Sequence, residues 1–420
     1  MTFLIFSVVM FSLMIVARYR TPEVRFIRPA WFACGLLPSE LPWLFGFIQL
    51  IITIGVSIFS TSFSALMLSS FALSLVTLVM WYRLHLNTFT ADEIFKNALD
   101  QGLKEQGDGG ESAMTIAASF GINAPSVIAQ RAWLKPFYYT RPGVERISNI
   151  SYGSHPRQQL DLYRPAGSHA DGKSRRPVLL HVHGGGWIIG NKNQQAKPLI
   201  NYLTLNGWLC VDINYRLAPK HRFPDCLVDV KTAITWIKNN IAGYGGDPDF
   251  IALTGGSAGG HLSTLAALTP NVAQFQPGFE SANTQVQAVV AMYGVFDFTN
   301  STGVWSGTGL GKLLHQHVMP RSFMDDSEFW RLASPRHQVH AGAPPIFVVH
   351  GTTDALVFVE DARDFVKALR AKSKAPVVYA ELDGAQHGFD LFHGVRTQFS
   401  IEAVGKFLQY CYGIHLRPNC

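Results

Sequence analysis

Residues 251–261 of the chain read IALTGGSAGGH, an apolar run that passes directly into a serine with glycines on both sides. The run predicts a buried strand, and GGSAG matches the G-x-S-x-G pattern, in which a sharp strand-to-helix turn exposes a nucleophilic serine. Gly255 and Gly259 suit this strained turn, because a β-carbon two positions from the serine would collide with the neighbouring chain. Serine between glycines is also common in loops, so this pattern alone indicates a nucleophile at Ser257 only weakly.

A glycine-rich segment follows an apolar run farther upstream. Residues 177–182 (PVLLHV) predict a buried strand, and His183 and Gly184 begin the HGGGW segment that comes next. Acyl transfer creates an oxyanion, which needs backbone N–H donors from a loop with few side chains in the way. The HGGG loop can supply one donor, and the N–H of Ala258, directly after the serine, can supply another. The alternative interpretation is an ordinary glycine turn between a strand and a helix.

Two further apolar runs end in candidate partners for the serine. Residues 345–349 (PIFVV) are followed by Asp354, and residues 376–382 (PVVYAEL) are followed by His387. Catalytic groups of open α/β sheets gather beyond the carboxyl ends of the strands, so we expect both side chains at the same edge as Ser257. A neutral histidine there can take the serine proton, while the carboxylate fixes its tautomer and stabilises the imidazolium.

Other histidines and aspartates compete for these two roles. His387 is preferred over His350 and His393 because it lies in the loop GAQHGF, from which an imidazole can reach the sheet edge. Asp383 precedes that histidine too closely to serve as its acid, and Asp361 lies on a predicted helix. The sequence therefore predicts a triad in the chain order serine, aspartate, histidine.

These segments together resemble the hormone-sensitive-lipase-type branch of the α/β-hydrolase superfamily, the carboxylesterases and arylacetamide-deacetylase-like enzymes. The segments that carry the resemblance are HGGGW at 183–187, NYRLAP at 214–219, FP at 223–224, GGDP at 245–248, GGSAGG at 255–260 and HGTTD at 350–354. The resemblance covers residues 143–412. It implies an α/β-hydrolase fold with a mostly parallel central sheet and a helical cap. It also implies an oxyanion hole formed by Gly185, Gly186 and Ala258.

Two positions depart from the pattern of that family. An acidic residue often stands before the nucleophile, where this chain has Gly256, and another often follows the Leu-Ala-Pro segment, where this chain has Lys220. Neither departure removes a member of the triad, but both change the hydrogen bonds expected around the elbow.

Residues 142–420 are expected to form one catalytic domain. Apolar strands alternate there with amphipathic helical patterns, which is typical of a mostly parallel sheet covered on both faces. Residues 84–141 are interpreted as cap or linker helices, because in the resembling enzymes the helices before the first strand contribute to a cap. Residues 299–334 are assigned to the same cap, and the apolar side chains suited to an acyl pocket there are Trp305, Leu310, Leu314 and Met319. The alternative for this second stretch is a surface insertion.

The N-terminal region, residues 1–83, is apolar enough to cross a membrane. Residues 3–17 carry no charge, and no charged residue occurs in residues 41–82. One helix over that second stretch would be about 63 Å long, twice the hydrocarbon thickness of a bilayer, so two spans fit better. We therefore expect three transmembrane helices, at 3–17, 43–60 and 62–82. A soluble helical core would show a polar stripe, and a cleaved signal peptide would have basic residues before its apolar run.

Arginines predict the orientation of these spans. Arg18, Arg20, Arg25 and Arg28 lie between the first and second spans, so that loop should be cytoplasmic, and Arg83 then returns the chain to the same side. This predicts a multi-pass protein of the inner or plasma membrane with a cytoplasmic catalytic domain, although a different number of spans would reverse it. The five cysteines are odd in number and irregular in spacing, which gives no disulfide framework.

The remaining composition narrows the possible functions. The net charge is +6, only 15% of residues are charged and no long basic run occurs, so nucleic acid is not an expected partner. Membrane lipids suffice as partners for this mild positive excess. No metal-ligand spacing or phosphate loop is found, and no cofactor is expected.

We expect a membrane-anchored serine hydrolase that cleaves carboxylic esters, of a small molecule or a lipid, through an acyl-enzyme intermediate. Hydrolysis of amides or formamides by the same triad is the close alternative. A non-catalytic membrane scaffold is the second class, whose usual mark would be a lost triad residue.

Overall fold

The computed structural model describes residues 1–21, 27–61, 64–104, 136–137, 139–168, 175–306 and 309–417. Its helices are α1 (Thr2–Arg18), α2 (Arg28–Glu40), α3 (Pro42–Phe59), α4 (Ala65–Thr88), α5 (Thr90–Lys104), α6 (Lys197–Leu205), α7 (Asp225–Asn240), α8 (Ala258–Leu268), α9 (Leu310–Leu313), α10 (Ser327–Leu332), α11 (Val359–Lys372) and α12 (Val395–His415). Its strands are β1 (Val144–Ser151), β2 (Gln159–Pro165), β3 (Arg176–Val182), β4 (Leu209–Ile213), β5 (Gly246–Gly256), β6 (Ala288–Met292), β7 (Ile346–Gly351) and β8 (Val377–Leu382).

The strands form one mixed sheet in the order β1-β2-β4-β3-β5-β6-β7-β8. Strand β2 pairs antiparallel with both β1 and β4, and all the other pairings are parallel. The strands that carry the predicted site residues, β3, β5, β7 and β8, are therefore parallel, and their carboxyl ends lie at one edge. This is the α/β-hydrolase type of sheet that the sequence predicts.

Helices cover both faces of the sheet because alternate strand residues point in opposite directions. Leu180 of β3 belongs to the apolar core formed with α7 and α8, which contribute Ile234 and Leu262. Its neighbour Leu179 belongs to the core on the other face, where α12 contributes Phe407. The side chains named here are all fully buried.

Part of the predicted cap segment lies on a sheet face. Helix α5 packs against β8, with Phe95 in edge contact with Phe347 of β7 at 6.2 Å between ring centroids. Residues 105–135 and 138 of the same segment lie outside the described residues. The cap interpretation of residues 84–141 as a whole therefore stays a prediction.

Two helical segments of the described chain are long and apolar enough to cross a membrane, Pro42–Phe59 and Ala65–Leu103, and Thr2–Arg18 is a shorter apolar helix. They correspond to the three predicted spans, although the third helix begins later than predicted and continues to Thr88 as α4. The structure also contains α2, a helix that the sequence pattern did not predict. Arg25, used above in the orientation argument, lies outside the described residues.

A buried polar cluster joins α3 to α4. The Gln49 amide donates to the carbonyl and hydroxyl oxygens of Ser74 at 3.1 and 3.0 Å, and it accepts from the indole N–H of Trp81 at 3.0 Å. Thr53 adds a hydroxyl–hydroxyl contact of 2.7 Å with Ser74. Polar side chains paired in this way connect neighbouring helices. The polar residues that interrupt the apolar run are thus turned toward each other.

Candidate active site

The predicted nucleophile sits on a strained turn between β5 and α8. Ser257 has φ 57° and ψ −121°, a conformation that side-chain-bearing residues rarely adopt. A β-carbon on Gly259 would lie 1.9 Å from the carbonyl oxygen of Val182, and one on Gly255 would lie 2.5 Å from the same oxygen. The Ser257 N–H donates to the carbonyl of Met292 at 2.9 Å. The elbow is therefore pressed against β3 and hydrogen-bonded to β6.

The predicted acid and base are joined beyond β7 and β8. The Nδ1 atom of His387 lies 2.7 Å from Oδ2 of Asp354, and both residues are buried. The other carboxylate oxygen accepts the N–H groups of Leu356 and Val357 at 2.9 and 2.8 Å. Burial alone would raise the pKa of Asp354, but the His387 charge and the hydrogen bonds of His350 and His387 hold that pKa well below its usual range. The carboxylate is therefore ionised and oriented toward the imidazole.

The competing residues lie elsewhere or act on the same carboxylate. His350 is completely buried, with Nε2 3.2 Å from the Asp354 carboxylate and 2.8 Å from the Val357 carbonyl. His393 lies 3.1 Å from the guanidinium of Arg141. Asp383 is half exposed on the surface, beside Arg18. Asp361, on α11, accepts the N–H of Phe296 at 2.7 Å, and burial raises its pKa well above the usual value.

The structure brings Ser257 and His387 to the same edge without a hydrogen bond between them. The serine hydroxyl makes no hydrogen bond to any other residue in the part of the chain that the structure describes. The imidazole packs against the rings of Tyr293 and Phe32, at 4.7 and 5.9 Å between centroids. Nucleophile–base hydrogen bonds are often loose in unliganded sites and tighten when the substrate binds.

The predicted oxyanion loop follows β3. Gly185 and Gly186 have φ of 118° and 59°, and a β-carbon on Gly185 would lie 2.1 Å from the carbonyl of Ile189. Among the described residues, the N–H groups of these two glycines find no hydrogen-bond acceptor. Gly184 differs, since its N–H donates to the side chain of Gln195 at 2.7 Å. Gly186 lines the same cavity as Ser257, so at least one of these backbone donors lies beside the nucleophile.

His183 holds the beginning of this loop. Its ring stacks on Tyr215 at 4.3 Å, the Tyr215 hydroxyl donates to the His183 carbonyl at 2.8 Å, and Nδ1 lies 2.7 Å from the Gly184 carbonyl. Burial lowers the pKa of His183 to about 4, so the ring is neutral at physiological pH. Its place in the motif is explained by packing and hydrogen bonding.

Gly256, one of the two departures from the family pattern, is explained by a tyrosine. A β-carbon at Gly256 would lie 2.6 Å from the hydroxyl of Tyr293. That hydroxyl donates to the partly buried carboxylate of Asp390 at 2.5 Å, and the ring packs on His387. A carboxylate therefore does stand close to the elbow, but it comes from the loop after β8. Sequence patterns missed this pair because the two residues are distant along the chain.

A cavity of about 280 Å³ opens at Ser257. Its lining residues are Arg28, Pro29, Gly186, Trp187, Ser257, Val295, Gly309, Leu310, Leu313, Ala355, Leu356 and Val357. Of the four side chains predicted to line an acyl pocket, Leu310 does so. Trp305, Leu314 and Met319 are instead buried in the core beneath it, because the segment folds inward against the sheet-covering helices. The two α2 residues in the lining were not predicted.

The fold and site place the chain among the α/β-hydrolases. Residues 160–369, half of the chain, match the BD-FAE family, and the chain belongs to that family. This agrees with the predicted relationship to hormone-sensitive-lipase-type carboxylesterases.

Similar proteins include a probable carboxylic ester hydrolase, LipM, of Mycobacterium tuberculosis, which is 49% identical over 265 residues (63% of this chain and 61% of LipM). The esterase LipC of the same organism is 42% identical over 62% of this chain and 64% of its own length. The chain thus spans about three fifths of the length of these curated relatives. Among solved structures, esterase 2 of Thermogutta terrifontis with bound propionate is 27% identical, with a TM-score of 0.52, over 64% of this chain and 94% of that one.

Proposed function

We propose that this protein is a membrane-anchored serine hydrolase that cleaves carboxylic esters through an acyl-enzyme intermediate. The observation that carries the proposal is the Asp354–His387 hydrogen bond of 2.7 Å at the sheet edge where Ser257 borders the cavity. The names of LipM and LipC, an ester hydrolase and an esterase, agree with the reaction type.

The reaction follows from the atoms at this edge. The Ser257 oxygen attacks the acyl carbon while Nε2 of His387 takes the serine proton. The Asp354 carboxylate accepts a hydrogen bond from the Nδ1–H of His387 throughout. The developing oxyanion accepts hydrogen bonds from the backbone N–H groups of Gly185, Gly186 and Ala258. The alcohol then leaves with the proton from the imidazolium, and a water molecule activated by the same histidine releases the acid.

The membrane anchor belongs to the same proposal. The outward side chains of α1, α3 and α4 are apolar and exposed, among them Val8, Phe47, Ile51, Ile54 and Leu75. Exposed apolar surface of this kind is rare on soluble proteins but suits contact with lipid. We take residues 1–83 as a region of three membrane-spanning helices and residues 142–420 as the catalytic domain. The arginines at 18, 20, 28 and 83 favour the cytoplasmic side for that domain.

Hydrolysis of p-nitrophenyl butyrate by the purified full-length chain tests this proposal. Ser257→Ala and His387→Ala should each reduce turnover to the background rate, because either change removes the nucleophile or its base. Ser263→Ala is the matched control, since Ser263 lies buried on α8 just beyond the elbow and should not alter turnover.

Turnover that survives Ser257→Ala would assign the reaction to another nucleophile and contradict the proposal. An arylamide with the same butyryl group and an N-aryl formamide complete the assay. Faster cleavage of either one than of the ester would replace the ester assignment with an amidase or a formamidase.

A further inference from the structure

Helix α2 connects the membrane region to the catalytic site, and its carboxyl end is fixed to the catalytic domain. The carboxylate of Glu40 lies 3.2 Å from the guanidinium of Arg396 at the start of α12, and both side chains are essentially inaccessible to solvent. The same guanidinium donates to the carbonyls of Ser39 at 3.0 Å and Asp383 at 2.9 Å. This buried ion pair, with its additional hydrogen bonds, holds the carboxyl end of α2 in one position relative to the sheet edge.

The amino-terminal half of α2 reaches the active-site cavity. Arg28 and Pro29 line the cavity together with Ser257. Phe32, one helical turn farther along, meets the His387 ring edge-on at 5.9 Å. The Arg28 guanidinium lies over the ring of Phe358 at 4.4 Å, next to the cavity wall. One face of α2 thus covers both the nucleophile and the base.

The carboxyl ends of α1 and α4 and the amino end of α3 lie beside α2, on the side of the catalytic domain. The carboxyl end of α1 is anchored by Arg18, 3.8 Å from Asp383, and the carboxyl end of α4 by Asn87, which donates to the Asp383 carbonyl at 3.3 Å. Trp43 and Tyr82 stand at this end of the α3–α4 hairpin, and aromatic residues of that kind mark the membrane–water interface. The exposed apolar side chains continue from there toward the opposite ends of the helices. With these helices spanning the membrane as proposed above, the bilayer surface falls at the level of α2.

The cavity itself suits the apolar part of an ester. Arg28 is its one charged side chain among the described lining residues, and most of the others are aliphatic. At about 280 Å³ the cavity lies at the small end of ligand pockets, so it accommodates a short acyl chain and leaves a longer group outside. A long alkyl group outside the cavity would extend along α2 into the bilayer.

We propose, on the basis of the hydrolase function above, that α2 is a substrate-binding wall of this site. The substrate class is an amphiphilic ester resident in the bilayer, with a short acyl group in the cavity and a long alkyl alcohol in the lipid. Phe32 and Pro29 are its specificity-determining residues. A membrane-resident ester gains from this arrangement because its carbonyl already lies at the depth of Ser257, and binding requires no transfer of the alkyl chain through water.

Two butyrate esters distinguish this class from soluble esters. The full chain in phosphatidylcholine vesicles is supplied either with hexadecyl butyrate dissolved in the vesicles or with water-soluble hydroxyethyl butyrate. Both esters form the same acyl-enzyme, so any difference in kcat/KM arises before the alcohol leaves. We expect kcat/KM for hexadecyl butyrate to be higher by about tenfold or more, the size of a hydrophobic pocket contact.

Phe32→Ala should remove most of this preference, while Cys34→Ala, an exposed position on the same helix, should preserve it. Phe32→Leu, which keeps apolar bulk, should restore part of the loss. A near-UV circular dichroism spectrum like that of the wild type verifies that each variant is folded. Equal losses for both esters in Phe32→Ala would mean that Phe32 only supports the imidazole, and would overturn the specificity role.

The outcomes also separate this inference from the proposed function. If hydroxyethyl butyrate is cleaved in a Ser257-dependent manner and hexadecyl butyrate is not preferred, the hydrolase function holds and the membrane-substrate inference is wrong. If neither ester is cleaved and Ser257 is not labelled by a fluorophosphonate, the hydrolase function itself is wrong.

Discussion

Glu40→Gln should loosen the attachment of the N-terminal helices to the catalytic domain. Glu40 and Arg396 are 0% and 1% exposed, and burial raises the pKa of Glu40 even though the Arg396 charge lowers it. Removing the carboxylate leaves a buried guanidinium with two carbonyl acceptors and no counter-charge. A buried pair broken from one side typically loses about 3–5 kcal/mol of stability, a large part of the 5–15 kcal/mol available to a domain.

A second ion pair at the same interface gives the comparison. Arg20 pairs with Glu360 at 2.6 Å, but the side chains are 44% and 33% exposed. Arg20→Gln should therefore lower the free energy of unfolding by less than about 1 kcal/mol. Each variant removes one charge from one of the two ion pairs, so the difference between their stability losses reports the effect of burial.

Urea unfolding of the detergent-solubilised full chain, followed by near-UV circular dichroism, measures both losses. The double variant Glu40→Leu/Arg396→Met should recover most of the stability, because no charge is then left without a partner. Equal losses for Glu40→Gln and Arg20→Gln, or no recovery in the double variant, would refute the reasoning from burial.

Three other predictions concern the elbow, acidic pH and the acyl group. Gly259→Ala places a β-carbon 1.9 Å from the Val182 carbonyl, which should displace the elbow. We expect kcat/KM to fall at least about a hundredfold, as when one oxyanion-hole donor is lost. Gly243→Ala is the control, because a β-carbon there has no neighbour within 4 Å and should leave kcat/KM unchanged. Burial lowers the pKa of His183 and of His261 to about 4, below the usual 6.5, so unfolding takes up protons between these values and stability falls as the pH drops from 6.5 toward 4. Each buried histidine contributes on the order of 3 kcal/mol to this loss. The free energy of unfolding of His261→Phe should therefore fall less steeply with decreasing pH than that of the wild type, and an equal slope would contradict the role of His261. Esters of one alcohol in detergent should be cleaved faster with butyryl than with palmitoyl groups, given a cavity of about 280 Å³, and an equal rate for both would contradict the acyl assignment.

The elements predicted best are those with a local signal. The apolar run before Ser257 and the glycines around it predicted the β5–α8 turn, because close approach of the chain to Val182 demands glycine at those positions. Asp354 and His387 could be identified because each follows a strand, and parallel strands end at one edge. Their hydrogen bond is a consequence of that topology.

Contacts between distant segments were not predictable in the same way. The pairing of Tyr293 with Asp390 depends on two loops that meet only in the folded sheet, and nothing in either segment indicates the other. The support of Asp354 by His350 was missed for a different reason, since the histidine was considered only as a competing base.

Helix α2 did leave a signal in the sequence. Pro29 stands in its first turn, where proline suits a helix start. Glu40 is the one acidic residue between Glu23 and Asp92, and an isolated charge in such an apolar region points to a specific partner. That partner, Arg396, could not be named from sequence because it lies near the other end of the chain.

The site of covalent attachment of a fluorophosphonate probe tests the central claim most directly. Mass spectrometry of the labelled full chain after proteolysis should locate a single adduct on the peptide that contains Ser257. His387→Ala should abolish the adduct, while Ser263→Ala should leave it in place. An adduct on another residue, or labelling of Ser257 that does not depend on His387, would contradict the account.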